Sequence, residues 1–225
     1  MSHLPESPVN PLPPVVTALF MLLMGIETIF QLGARGIMGG PEAIGWRIEA
    51  LQAYGYSPDI LAWMIETSRW PLEHVFRFVS YAFVHVSFTQ ALFAGVFLLA
   101  LGKMVAEVYG AIQMLVVFVV ASVSGAIVFS VAGANQPLFG AFPAVYGLIG
   151  TYTFLLWRGL ALIGANQTRA FTLIAFLMGI QLIFAVFTGS KDWIADIGGF
   201  ASGFAISFFL TPGGMSRLRD RMRRD

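Results

Sequence analysis

Gly140-Ala-Phe-Pro-Ala-Val-Tyr-Gly-Leu-Ile-Gly150 is the stretch whose reading decides the fold. It follows a short polar link and opens a long apolar run, Leu148 to Leu156. Pro143 suits a first helical turn, where its missing N–H costs nothing. Gly147 and Gly150 fall close together on one helical face and let a second helix approach closely. The stretch is therefore expected to begin a buried, central membrane helix.

The composition around it agrees. Of 225 residues, 57% are hydrophobic and only 11% charged, and the mean hydropathy is +0.78. Such values belong to membrane proteins. At roughly 20 residues per crossing, the chain accommodates about six spans with short loops. It has no cysteine, which excludes disulfides, thiolate metal sites and a cysteine nucleophile. The formal charge of +1 supplies no field for nucleic acid. Three histidines, His3, His74 and His85, are a poor ligand set; no metal and no cofactor are expected.

Hydropathy divides the chain into a tail at 1–14, a membrane domain at 15–211 and a basic tail at 212–225. The first tail lacks a basic n-region and holds five prolines, so it reads as disordered and not as a signal peptide. The expected spans are 15–32, 77–101, 111–132, 142–163, 170–188 and 193–211. Glu27, in the first, is an ionisable group at depth and is expected to pair with a neighbour or reach the interface. The first loop, 33–76, holds two helical stretches, 43–54 and 59–67, parted by Gly55-Tyr-Ser-Pro58. Their amphipathic pattern and Trp46 and Trp63 suit helices lying in the interface plane. Residues 102–110 are read as the turn into the third span.

A second motif lies in the last span: Ala195-Asp-Ile-Gly-Gly-Phe-Ala-Ser-Gly203. Gly199 and Gly203 form a small-xxx-small pair suited to close helix contact, and the sixth span is expected to touch the fourth through it. Gly198 adjoins the pair.

The two glycine motifs together resemble rhomboid intramembrane serine proteases. Those proteins carry Gly-x-Ser-Gly at the start of the fourth span, then Tyr, Gly and Gly at four, five and eight residues beyond the Ser. Here Gly140, Tyr146, Gly147 and Gly150 keep the spacing, while the Ser position is Phe142 and the next glycine is Pro143. In the last span the family reads Ala-His-x-Gly-Gly-x-x-x-Gly, with His as catalytic base. Ala195, Gly198, Gly199 and Gly203 match, and the His position is Asp196. Ahead of the second span, Phe76-Arg77 stands for the family's Trp-Arg, and His85 for its first His, whose role is mostly structural. The two oxyanion-hole positions are Gln90 and Ala94. Gly102 and Gly110 match Gly-x-x-x-Glu-x-x-x-Gly, but Ala106 stands at the Glu position and Glu107 follows. One residue is about 100° of helix rotation, which takes the carboxylate off the usual face.

The resemblance implies an all-α polytopic fold: a six-helix rhomboid-like bundle with an amphipathic helical first loop. It does not carry the activity over. A serine–histidine dyad needs a hydroxyl and a base titrating near neutrality, and Phe142 has no nucleophilic atom. Pro143 lacks an N–H, and Ala94 lacks a side-chain donor that an oxyanion hole would use. Tyr146, Thr151 and Ser87 are the nearest other hydroxyls. Tyr146 is expected to hydrogen-bond Asp196 and so make the buried carboxyl tolerable.

Three functions fit these residues. One is a pseudoprotease that binds transmembrane helices of client proteins between its second and fifth spans, for sorting or quality control. The second is an intramembrane endopeptidase with an unconventional site. The third is a passive structural or transport role along Glu27, His85, Gln90 and Asp196. Lys103, Arg158 and Arg169 share one side with the five arginines of the last tail, eight of thirteen basic residues. The positive-inside rule puts both termini in the cytoplasm, with the bilayer expected to be a bacterial-type inner (plasma) membrane.

Overall fold

The structure, a computed structural model, describes residues 11–211. The rest of the expected tails, 1–10 and 212–225, lies outside the described residues. Nine α-helices are present among the described residues: α1 (Pro14–Ala34), α2 (Trp46–Tyr54), α3 (Pro58–Thr67), α4 (Leu72–Ser80), α5 (Phe88–Tyr109), α6 (Ala111–Val131), α7 (Phe142–Leu162), α8 (Thr172–Thr188) and α9 (Asp192–Leu210). Six are long and apolar enough to cross a bilayer: α1, α5, α6, α7, α9, and α8 with the single turn Gln167–Phe171 that leads into it. The chain is an integral, multi-pass membrane protein. Short connections make successive spans antiparallel. Phe88, Val131, Phe142, Thr188 and Asp192 therefore lie at the end where α2 to α4 sit, called here the loop side.

α7 is the central helix; its residues from Pro143 to Thr151 are all buried. α9 and α6 pack on it and on each other, α5 covers another face, and α1 lies outside α5. The α7–α9 contact is backbone against backbone. A Cβ on Gly199 would overlap the Pro143 carbonyl, and one on Gly203 the backbone of Gly147. A Cβ on Gly150 would in turn strike Phe200 and Phe204. Lipid offers no hydrophobic drive for helix association, so this close packing holds the spans together. Thr151 Oγ1 adds a 3.1 Å hydrogen bond to the Gly203 carbonyl.

Two boundaries differ from the sequence reading. The second span begins at Phe88, not at 77. Residues ahead of it form α4, one tight turn (Tyr81–Phe83) and an extended step through Val84. Ser87 caps the span by accepting from Gln90 N–H, and Gln90 Oε1 accepts from Val86 N–H. This Ser-x-x-Gln pattern, which resembles a capping box, was the available signal. The same span runs on to Tyr109, so 102–109 is helix and the turn rests on Gly110 alone, at φ +99°. Gly102 is buried against Met114 and Val16 instead. Ala106 faces the core, while Glu107 turns outward toward Lys103.

The first loop is fastened to the bundle. Tyr56 and Leu138 exchange two backbone hydrogen bonds, 3.2 and 2.8 Å. The Tyr56 hydroxyl meets Ser130 Oγ at 2.6 Å. α8 is the exception to this packing: it lies at the edge against α9, with Val186 83% and Phe187 82% exposed. Such exposure on an apolar helix is a lipid-facing surface.

Candidate functional site

The loop-side ends of α5, α7, α8 and α9 surround a cavity of about 180 Å³. Gln90 comes from the first turn of α5, Phe142 and Pro143 from the first turn of α7, and Gln181 from α8. Asp192 and Asp196 come from the first two turns of α9. The glycine contacts fix this arrangement, because Gly199 seats α9 directly on the Pro143 carbonyl. Phe142 and Asp196, far apart in sequence on α7 and α9, therefore line one space.

Asp196 is 1% exposed. Its Oδ2 accepts from Gln181 Nε2 at 2.5 Å. The expected bond from Tyr146 is not formed; Tyr146 is buried nearby, but the partner of Asp196 is on α8. An amide reaches a carboxyl through a flexible stem, whereas the Tyr146 ring is held in the packed core of α7. Gln181 is the one strongly polar side chain of its span, and the sequence motifs do not give it this role. A lone amide in an apolar helix is the signal that would have found it.

Gln90 is already engaged. Its amide donates to the Phe139 carbonyl at 3.3 Å while its oxygen holds the α5 cap. Ala94, one turn further along α5, is fully buried and has no polar atom to offer. Gly140, at φ +93°, leaves room for both Gln90 and His85, whose atoms a Cβ would meet at 2.9 and 3.2 Å. Of the glycines named from sequence, Gly102 lies away from this cluster. Gly198 packs on Val128 and Gly125, and Gly147 on Ala121.

His85 sits in the extended step ahead of the second span. Its Nε2 accepts the Ala141 backbone N–H at 3.2 Å, tying the start of α7 to the start of α5. Accepting there requires a neutral ring. Burial pushes its pKa down to about 4, against the opposing pull of Glu27. An ordinary histidine in an unfolded chain protonates near 6.5. The stabilisation is complete above pH 6.5 and is lost as pH falls from 6.5 toward 4. Between pH 6.5 and 5 the loss is expected to be roughly 2 kcal/mol, read as a falling unfolding temperature in micelles. A His85→Gln variant is expected to lose that slope; an unchanged slope would refute the assignment.

Arg47, on α2, reaches under the loop to Glu27 of α1. The guanidinium donates to both carboxylate oxygens, at 2.9 and 2.5 Å, and to the His85 carbonyl at 2.7 Å. Gln31 donates to the same carboxylate at 3.0 Å, and Phe30 lies under the guanidinium. Glu27 is thus part of a structural anchor and does not face the cavity.

Chemically the cavity lacks a nucleophile where a dyad would need one. Position 142 is a phenyl ring, and the same cavity holds the Asp196 carboxyl. Ser87 and Thr151 are spent on a cap and on the α7–α9 contact. Thr188 and Ser190, at the mouth, accept from the backbone N–H groups of the turn into α9. Among the described residues no group of three or more His, Asp or Glu is placed to hold a metal ion.

A family model of the rhomboid domain matches residues 72–213, more than half of the chain. A comparison with curated proteins finds no match.

Proposed function

The chain belongs to the rhomboid family, and we propose that it is a member without protease chemistry that binds transmembrane helices of client membrane proteins. The observation that carries this reading is the pairing of Phe142 with Asp196 across a retained cavity. The space remains, flanked by α5 and α8, while the groups that would cut are replaced. Loss of the hydroxyl, the imidazole, the Pro143 N–H and the donor at Ala94 leaves no single substitution that restores a dyad. The weakly packed α8 supplies an apolar, lipid-facing flank against which a client helix can lie. Client binding of this kind serves sorting or quality control. Both termini lie in the cytoplasm of a bacterial-type inner membrane, because the basic residues gather on that side.

The test uses the full chain reconstituted with helix-destabilised transmembrane reporters, read by mass for fragments and by co-purification for complexes. Intact reporters held in stable complexes are the expected result. Fragments that disappear in Ser190→Ala or Tyr146→Phe would reveal a relocated nucleophile and make the protein an endopeptidase.

A further inference from the structure

The cavity holds polar atoms that the protein does not satisfy. A carboxyl and an amide side by side can exchange two hydrogen bonds, but Gln181 and Asp196 exchange one. Asp196 Oδ1 and Gln181 Oε1 are both buried and have no hydrogen-bond partner among the described residues. Both side chains line the cavity, and Asp192 joins them at its mouth. Among the described residues, no Lys, Arg or His lines it. Buried acceptors left unfilled are costly, and more so when charged.

The missing group is defined by what these atoms lack. An amide oxygen has no proton to give, so its partner must be a donor. Two unfilled acceptors in one cavity call for at least two N–H groups on one ligand. Two carboxyls, with no basic residue among the described ones lining the cavity beside them, favour a positive charge, and the low dielectric strengthens that attraction. We propose that this cavity is a receptor for a basic group, an ammonium or a guanidinium. Asp196 Oδ1 and Gln181 Oε1 take its N–H groups, and Asp192 draws it to the mouth. Two sources supply such a group: a Lys or Arg side chain on a membrane-embedded segment, or a small organic cation. The first rests on the client-binding reading above. A basic residue inside a bilayer is itself in need of a partner, and the cavity lies between Gln90 of α5 and Ala185 of α8, where a neighbouring helix would pass.

The experiment uses the full chain in lipid nanodiscs. One arm titrates otherwise identical transmembrane peptides carrying Lys, Arg, Gln or Leu at loop-side depth. A second arm adds methylguanidinium chloride, without peptide, and follows the unfolding temperature. Lys and Arg peptides are expected to bind about ten-fold more tightly than the Leu peptide, and Asp196→Asn to shrink that ratio to about two-fold or less. Gln181→Leu and the exposed Asp192→Asn provide the same comparison should Asp196→Asn fail to fold. A rise of the unfolding temperature with methylguanidinium that requires Asp196 supports the receptor even when no peptide binds, in which case the client reading alone falls. Peptides that bind regardless of the basic residue, with no response to methylguanidinium, overturn the receptor and leave the client reading standing.

Discussion

Gly203→Val is expected to part α9 from α7 and to cost about 3 kcal/mol or more. The reason is the nature of the contact. A Cβ at 203 overlaps the carbonyl, the carbonyl carbon and the Cα of Gly147, all of them backbone atoms of the central helix. A side chain in the way can rotate; a helix backbone can only move as a body. Moving α9 outward also breaks the Thr151 bond to the Gly203 carbonyl and lifts Gly199 from Pro143. The measurement is denaturant unfolding of the purified protein in mixed micelles. Gly159→Ala, on the same central helix with open space beside it, is the matched control and is expected to unfold at the same denaturant concentration or slightly later. Equal losses in the two variants would mean that helix propensity, not close approach, governs these positions.

Arg47→Leu is expected to be comparably damaging, by about 3–5 kcal/mol, through a different mechanism. It leaves the Glu27 carboxylate, 1% exposed, without the guanidinium that takes both of its oxygens. It also strips the His85 carbonyl of its donor and detaches α2 from α1. The double variant Glu27→Leu, Arg47→Leu removes the stranded charge together with its partner. It is expected to recover a large part of the loss, because replacing both members of a buried pair is much milder than removing one. A double variant less stable than Arg47→Leu would show that the ion pair is not what holds the loop. The two experiments separate two kinds of stabilisation in one fold: steric fit between helices, and a charge pair that pins an irregular loop.

The parts of the fold that obey short-range rules were legible in the chain. Hydropathy located six spans, and the four-residue spacing of Gly199 and Gly203 announced a helix contact whose partner motif, Gly147 and Gly150, had the same character. Those features need only one helix to be read. The features that escaped need two. Glu27 and Arg47 lie twenty residues apart with a loop between them, and nothing local says that α2 folds back over α1. Asp196 was matched with Tyr146 because motif spacing brings α7 and α9 together, while the register of α8, which carries Gln181, follows from no motif. The start of the second span was placed early because no glycine or proline interrupts 77–88; the Ser87 cap does that work through a side chain. Gly102 looked like a turn residue and is a packing residue, since Gly110 already provides the positive φ.

The placement of α9 bears on how the molecule comes to exist. α9 leaves the ribosome after α6 and α7 and packs against both of them. Until it arrives, Gly150 of α7 has no backbone to pack against, and the five spans made before it lack the close contact that Gly199 and Gly203 supply. A chain that stops short of Asp192 thus has the central helix without the one whose backbone meets its own. Assembly of this bundle therefore waits for α9, and in that interval loosely associated spans distinguish a copy that lacks this helix from one that has it.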